Sequence, residues 1–203
     1  MNNALTFQLS RKESILRSID TLQRVYAVIA GLSIQEALRN ALHGGAGLPA
    51  QFDLPKFAQF LAFMLVVIPF VHGTNRHMDV TASMNHLKLL LFDFLVFLVQ
   101  SCMLFLLAQA ANVQSFVSVL ILLLAIDAAW SVLAALIKRD VWKWAVINTC
   151  VIVLLIILRS CTQFLEPVPI AVVMFARTMA DYTWMWKFYF PPDLPAGATN
   201  SIS

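Results

Sequence analysis

Long apolar runs separated by short polar breaks organise this chain. Six runs stand out, at about residues 25–42, 54–72, 87–110, 113–137, 141–158 and 168–190. A helix needs about 20 mostly apolar residues to cross the hydrocarbon core of a bilayer, and each run comes close to or exceeds that length. The breaks carry helix-stop chemistry. His43-Gly44-Gly45 and Gly47-Leu48-Pro49 end the first run, and His72-Gly73 ends the second. Only Ala111-Asn112 parts the third from the fourth, which predicts a tight antiparallel hairpin. Lys138-Arg139-Asp140, then Arg159 with Glu166-Pro167, then Pro191-Pro192 mark the remaining boundaries. Asp53 can cap the second helix, with Pro55 tolerated in its first turn. Pro69 is expected to bend that helix.

Residues 1–23 read differently. Leu5, Leu9, Leu16, Ile19 and Leu22 share one broad helical face, while Arg11, Lys12, Arg17 and Asp20 fall mostly elsewhere. The pattern suits a helix on the inner membrane surface, or a cytoplasmic extension of the first membrane helix. The tail, residues 191–203, reads as disordered.

Composition agrees with the pattern. Of 203 residues, 60% are hydrophobic and 12% charged, against about 25% charged in an ordinary soluble domain. A soluble domain of this size leaves too much of its surface in water to hide so much apolar material. The expected fold class is therefore all-α, a polytopic transmembrane bundle of six helices in one unit, residues 24–190, with the lipid bilayer as partner. The net charge of +3 is too small and too scattered to suggest a nucleic acid. Cys102, Cys150 and Cys161 are odd in number and two lie deep in apolar runs, which argues against a disulfide framework. No cleavable signal is visible, because the first long run contains Glu36 and Arg39, so the first helix is expected to remain in the mature protein.

Charge fixes an orientation. With both termini in the cytoplasm, the inner segments hold Arg11, Lys12, Arg17, Arg24, Arg76, Lys88, Lys138, Arg139, Lys143 and Lys187, and the outer ones hold Arg39, Lys56 and Arg159. Ten against three is a positive-inside bias. Trp142, Trp144, Trp184, Trp186 and Tyr189 then fall at inner interfaces, where amphipathic rings settle.

Charges inside the apolar runs are the candidates for chemistry. Inserting one costs at least about 2.5 kcal/mol, so such a group faces a partner or water. Asp127 lies within LILLLAIDAAWSVLAAL and Asp93 within LLLFDFLVFL. Arg177 and Asp181 are four apart and share a helical face. By depth, Glu36 and Arg177 are expected in the outer half, Asp93, Asp127 and Asp181 in the inner half, and Arg24, Arg76 and Lys88 at the inner edge. The set reads either as a polar track for ions or protons, or as ion pairs that lock helices together. His72, Arg76, His77 and Asp79 crowd the segment HGTNRHMD. That cluster allows a metal site, a gate or proton-sensitive switch, or simply a capped helix end. HExxH, GxSxG and phosphate-binding glycine loops are absent from the sequence, and no cofactor is called for. The His72–His77 spacing is similar to one histidine box of membrane di-iron oxygenases, but only His43 and His86 remain where those enzymes need several more.

The stretch RVYAVIAGL, residues 24–32, resembles the first-helix motif RxxxFSDGV of the endolysosomal and bacterial six-helix potassium channels. Arg24, Gly31 and Leu32 match in spacing, while Val28, Ile29 and Ala30 stand where that family has Phe-Ser-Asp. The segment FVHGTNRH is also similar to the histidine-containing end of that family's second helix. The resemblance implies a six-helix membrane channel, and of that family's residues only Arg24 and Gly31 carry over.

Three functions fit these readings. The first is a small oligomeric cation or proton channel or transporter, a homo-oligomer with its pore on the symmetry axis. The second is a non-catalytic subunit, sensor or anchor that docks a protein partner through its N-terminal helix. The third is a metal-dependent intramembrane enzyme using His72, His77 and Asp79. A bacterial inner membrane suits the short loops. The layout has a direct check: single cysteines at Ala111 and Arg139 are expected to be labelled from opposite sides of the bilayer.

Overall fold

The structure is a computed structural model. It describes residues 2–42, 53–83, 87–136, 141–161 and 165–190, with side chains at all of these except 2–16, 82–83 and 87–89. The tail, Lys138 and Arg139, and the side chains of Leu5, Leu9, Arg11, Lys12, Leu16 and Lys88 lie outside what is described. Among the described residues there are seven α-helices and no strand: α1 (Asn2–Leu42), α2 (Leu54–Ser83), α3 (Leu87–Ala108), α4 (Val113–Ala135), α5 (Trp142–Ser160), α6 (Pro167–Trp184) and the short α7 (Trp186–Tyr189).

Helix ends follow local chemistry. Asp53 precedes α2 and its Oδ1 accepts from the Lys56 N–H at 3.4 Å. Asn112 caps α4, its side chain accepting from the Ser115 N–H at 2.8 Å. A helix leaves its last four carbonyls without internal partners, and at the end of α3 each finds one. Gln109 N–H serves Phe105 and Leu106, and Ala110 N–H serves Leu107. Asn40 Nδ2 of α1 donates to Ala108 O at 2.8 Å. Gln59 Nε2 of α2 donates to the next free carbonyl, Ala110 O, at 2.9 Å.

Two boundaries differ from the sequence expectation. The second helix does not stop at His72-Gly73. It runs to Ser83 as one helix of 30 residues. The polar segment that reads as a stop is held by neighbours: Gln23 Nε2 reaches Asn75 O and Asp79 Oδ1, Arg76 Nε donates to Phe188 O, and His77 meets Asp93. These contacts outweigh the roughly 1 kcal/mol that Gly73 costs a helix interior. The sixth segment breaks at Met185, and Trp186–Tyr189 form a separate turn. At the other end of the chain, α1 is unbroken across residue 24. Its 41 residues make a rod of about 60 Å, twice the roughly 30 Å of a hydrocarbon core.

The bundle is apolar outside, and its largely apolar core encloses a set of buried polar groups. In α4 the buried positions are Phe116, Val117, Leu120, Leu123, Leu124, Asp127, Trp130 and Ser131, a stripe of helical period. Leu122, Val132 and Leu133 on the opposite face are exposed, as are Val153, Ile156 and Ile157 of α5 and Val172 and Phe175 of α6. Apolar surface of this extent is not left bare in water. Four helices have the length and apolarity to cross a membrane, over Leu54–Thr81, Leu90–Ala108, Val113–Ala135 and Trp142–Ser160. Such a set is compatible with an integral membrane protein. Helix α4 packs chiefly on α5 and α3, α2 on α6 and α1, and α1 on α3.

Pro69 shows how sequence sets the α2–α6 contact. Proline has no N–H, so Leu65 O loses its partner one turn back. Thr178 of α6 supplies the replacement, its hydroxyl lying 2.7 Å from Leu65 O and 2.9 Å from Met174 O of its own helix. Thr178→Val keeps the shape and removes the donor. It is expected to cost about 1 kcal/mol in thermal unfolding in detergent. In a Pro69→Ala background the same change should cost less, because residue 69 then serves Leu65 itself.

Candidate functional site

Asp127 occupies the buried stripe of α4, 8% exposed, where an aliphatic residue would continue the pattern. Amides from both neighbouring helices close on it. Gln100 Nε2 of α3 donates to Oδ1 at 2.8 Å, and Asn148 Nδ2 of α5 donates to Oδ2 at 2.5 Å. Asn148 turns its other end to α6, where its Oδ1 accepts from Arg177 Nη2 at 3.1 Å. Arg177 also pairs with Asp181 one turn on, Nη1 to Oδ2 at 3.6 Å, and its guanidinium stands over the Phe70 ring at 5.3 Å. Asp181 is completed by Trp144 Nε1 at 2.8 Å and the Tyr189 hydroxyl at 3.1 Å. One chain of polar contacts thus joins α3, α4, α5, α6 and α7.

A second cluster lies beside it. His77 Nε2 of α2 is 2.8 Å from Asp93 Oδ2 of α3, with the Thr81 hydroxyl 3.1 Å from the imidazole nitrogen. Trp130 Nε1 of α4 donates to Asp93 Oδ1 at 2.9 Å. The Trp130 and Trp144 rings stack at 6.1 Å with 26° between planes. Two stacked indoles therefore bridge the clusters, each giving its N–H to a different aspartate. Gly73 makes room for this arrangement: a Cβ there would lie 3.4 Å from the Tyr189 hydroxyl and 3.6 Å from the Trp144 ring.

Two cavities mark the line of α2. A small one of about 20 Å³ is lined by Asp127, Arg177 and Asp181, together with Pro69, Phe70, Gly73, Trp130, Trp144 and Tyr189. A larger vestibule of about 290 Å³ opens at the ends of α1, α2, α3 and α4, lined by Asn40, Lys56, Gln59, Phe63, Leu107 and Phe116 among others. Phe63 and Phe70 are two helical turns apart, so the cavities are separated by about 10 Å along α2. Apolar side chains pack the core around this stretch: Val66, Leu104, Leu120, Leu123 and Leu124 are fully buried.

The structure sorts the sequence candidates. Asp127, Arg177 and Asp181 come together, and Asp93 joins His77 in the adjoining cluster. Glu36 does not share this interior, and takes Arg39 on its own helix at 2.6 Å. Arg24 pairs with Asp20 at the surface, and Asp79 takes Gln23. His72, His77 and Asp79 do not converge: His72 Nδ1 meets the Tyr182 hydroxyl at 3.2 Å and its ring lies tilted against Tyr189 at 4.7 Å, while His77 faces α3. Residues five apart lie about 140° apart around a helix, which is why the two histidines look different ways. Among the described residues no three of His, Cys, Asp and Glu form a metal-holding group. Gly31 has open space where a Cβ would stand.

Sequence reasoning passed over Gln100, Asn148 and Trp130. Each had a signal. Gln100 and Asn148 are amides inside apolar runs, and Gln100 is seven residues from Asp93, on the same face of α3. Trp144 and Tyr189 are buried as donors to Asp181, whereas Trp142, Trp184 and Trp186 are exposed.

The chain matches no known family model, and neither the curated proteins nor the solved structures give a match. The site is therefore read from its own geometry. Asn148 is its hinge point, since it hydrogen-bonds to both Asp127 and Arg177. Asn148→Leu strands an aspartate oxygen and a guanidinium nitrogen together and is expected to cost about 3 kcal/mol or more. Cys150→Leu, two residues on and exposed, should be close to neutral in the same unfolding assay.

Proposed function

We propose that this chain is a small transport protein of a cell membrane that moves protons or a cation, with Asp127, Arg177 and Asp181 at the centre of the path. The observation that carries this reading is Asp127, an acid buried mid-helix and held by two amides beside an arginine. Stability alone gives little reason for such a group. Replacing a buried ion pair by well-packed apolar residues is often neutral or stabilising, and hydrogen bonds between membrane helices average only about 0.6 kcal/mol. Ionisable groups at membrane depth are functional candidates by default.

The full topology belongs to the same proposal: six spans, with both termini cytoplasmic. The positive-inside bias supports it. Helix α6 keeps Arg177 and Asp181 inward and turns Val172, Phe175 and Met179 outward, which suits a span despite its charges. In α1 the Glu36–Arg39 pair lowers the cost of the two charges in the apolar half. A homo-oligomer in a bacterial inner membrane is the expected setting, and the likeness of residues 24–32 to the six-helix potassium channels points to the same class of cargo.

A second reading has its own observation. Helix α1 is about 60 Å long, so a crossing α1 leaves about half its length in the cytoplasm. That half suits a membrane subunit that docks a protein partner.

Purified protein in liposomes tests the first reading. Asp127→Asn is expected to cut flux by about tenfold or more and leave the melting point within a few degrees of the parent. The substitution is tolerable chemically because Gln100 Oε1 is buried without a partner, so that amide can turn to accept from the new Asn. Absence of flux of protons, Na⁺ and K⁺ from the parent protein would sink the transport reading. Deleting residues 1–19 and losing a co-purifying partner would then favour the second.

A further inference from the structure

The small cavity beside Arg177 is too well furnished to be a packing fault. Arg177 is 4% exposed, yet its Nε has no hydrogen-bond partner and its Nη1 reaches Asp181 Oδ2 only at 3.6 Å, too long for a hydrogen bond. Leaving a buried charged donor unsatisfied costs several kcal/mol, so a partner is expected. The cavity that Arg177 lines has about 20 Å³ for such a partner, and a single water needs about 10–15 Å³.

Chemistry narrows the occupant further. A metal cation placed there would face the Arg177 guanidinium. An anion would face the carboxylates of Asp127 and Asp181, which line the same space. Only a molecule that both accepts and donates satisfies all three walls. We propose that the cavity is a binding site for one water molecule, which accepts from Arg177, donates to Asp181, and either donates to Asp127 as a carboxylate or accepts from it as the acid. The water completes a route that direct contacts leave open, because Asp127 and Asp181 are otherwise joined only through Asn148 and Arg177.

The site has a role that rests on the transport reading above. The carboxylic acid of Asp127 releases its proton to the water oxygen, and the water releases a different proton to the Asp181 carboxylate. One O–H bond breaks and one forms at the water, which is unchanged at the end, while Asp127 has become the carboxylate and Asp181 the acid. Arg177 keeps its charge throughout and fixes the water oxygen between the two acids. Trp144 and Tyr189, which donate to Asp181, hold its oxygens in position to receive the proton.

Gly73 gives a test that touches no charge. It lines the cavity, and a methyl added there meets Tyr189 and Trp144 at ordinary contact distances, so it takes up the space by packing alone. A map of the full chain in nanodiscs, at a resolution that shows ordered water, is expected to hold one water peak within hydrogen-bond distance of Arg177 in the parent and none in Gly73→Ala. An empty cavity in the parent, or density with the coordination of an ion, overturns the site. In liposomes Gly73→Ala is expected to lose proton flux by about tenfold or more with its melting point retained. Parent-level flux from a Gly73→Ala protein whose water is gone overturns the relay. No flux from the parent is a failure of the transport reading and not of the water site, which the map decides on its own.

Discussion

An apolar interior offers no hydrogen bonds of its own, and much of this structure follows from that. A charge or amide within the bundle must find its partner on another helix or on its own next turn. Arg177 is the clearest case. It draws Asn148 from α5, Asp181 from α6 and the ring of Phe70 from α2, and through Asn148 it reaches Asp127 on α4. The apolar core around it, Val66 with Leu104, Leu120 and Leu124, keeps its interactions strong.

Much of the helix layout was legible in the chain. Apolar runs bounded by Asp53, Ala111-Asn112 and Glu166-Pro167 begin where the matching helices begin, because capping and proline chemistry act locally. The end of α2 was not legible. Gly73 and His72 look like a stop, yet the residues that keep the helix going are Gln23, Asp93 and Phe188, distant in sequence. Tertiary partners overrode a local signal there.

The site was half legible, for a related reason. Charge in an apolar run is conspicuous, so Asp93, Asp127, Arg177 and Asp181 announce themselves. Their partners are neutral and blend in. Gln100 and Asn148 pass for tolerated polar residues, and Trp144 and Tyr189 pass for interface aromatics. Glu36 shows the simplest pairing, with an arginine three residues on along its own helix. Proximity along a helix needs no folding to arrange.

The indole stack has a consequence of another kind. Trp130 and Trp144 are in ring contact, and each is hydrogen-bonded to a carboxylate of a different cluster. Two chromophores held this close couple their electronic transitions, so the pair carries its own near-ultraviolet circular dichroism. Any rearrangement that moves Asp93 relative to Asp181 must tilt one indole against the other and alter that signature. The protein thus contains an unlabelled optical reporter at its centre, beside a second indole pair at its surface, Trp142 and Trp184, whose rings meet edge to face at 5.7 Å.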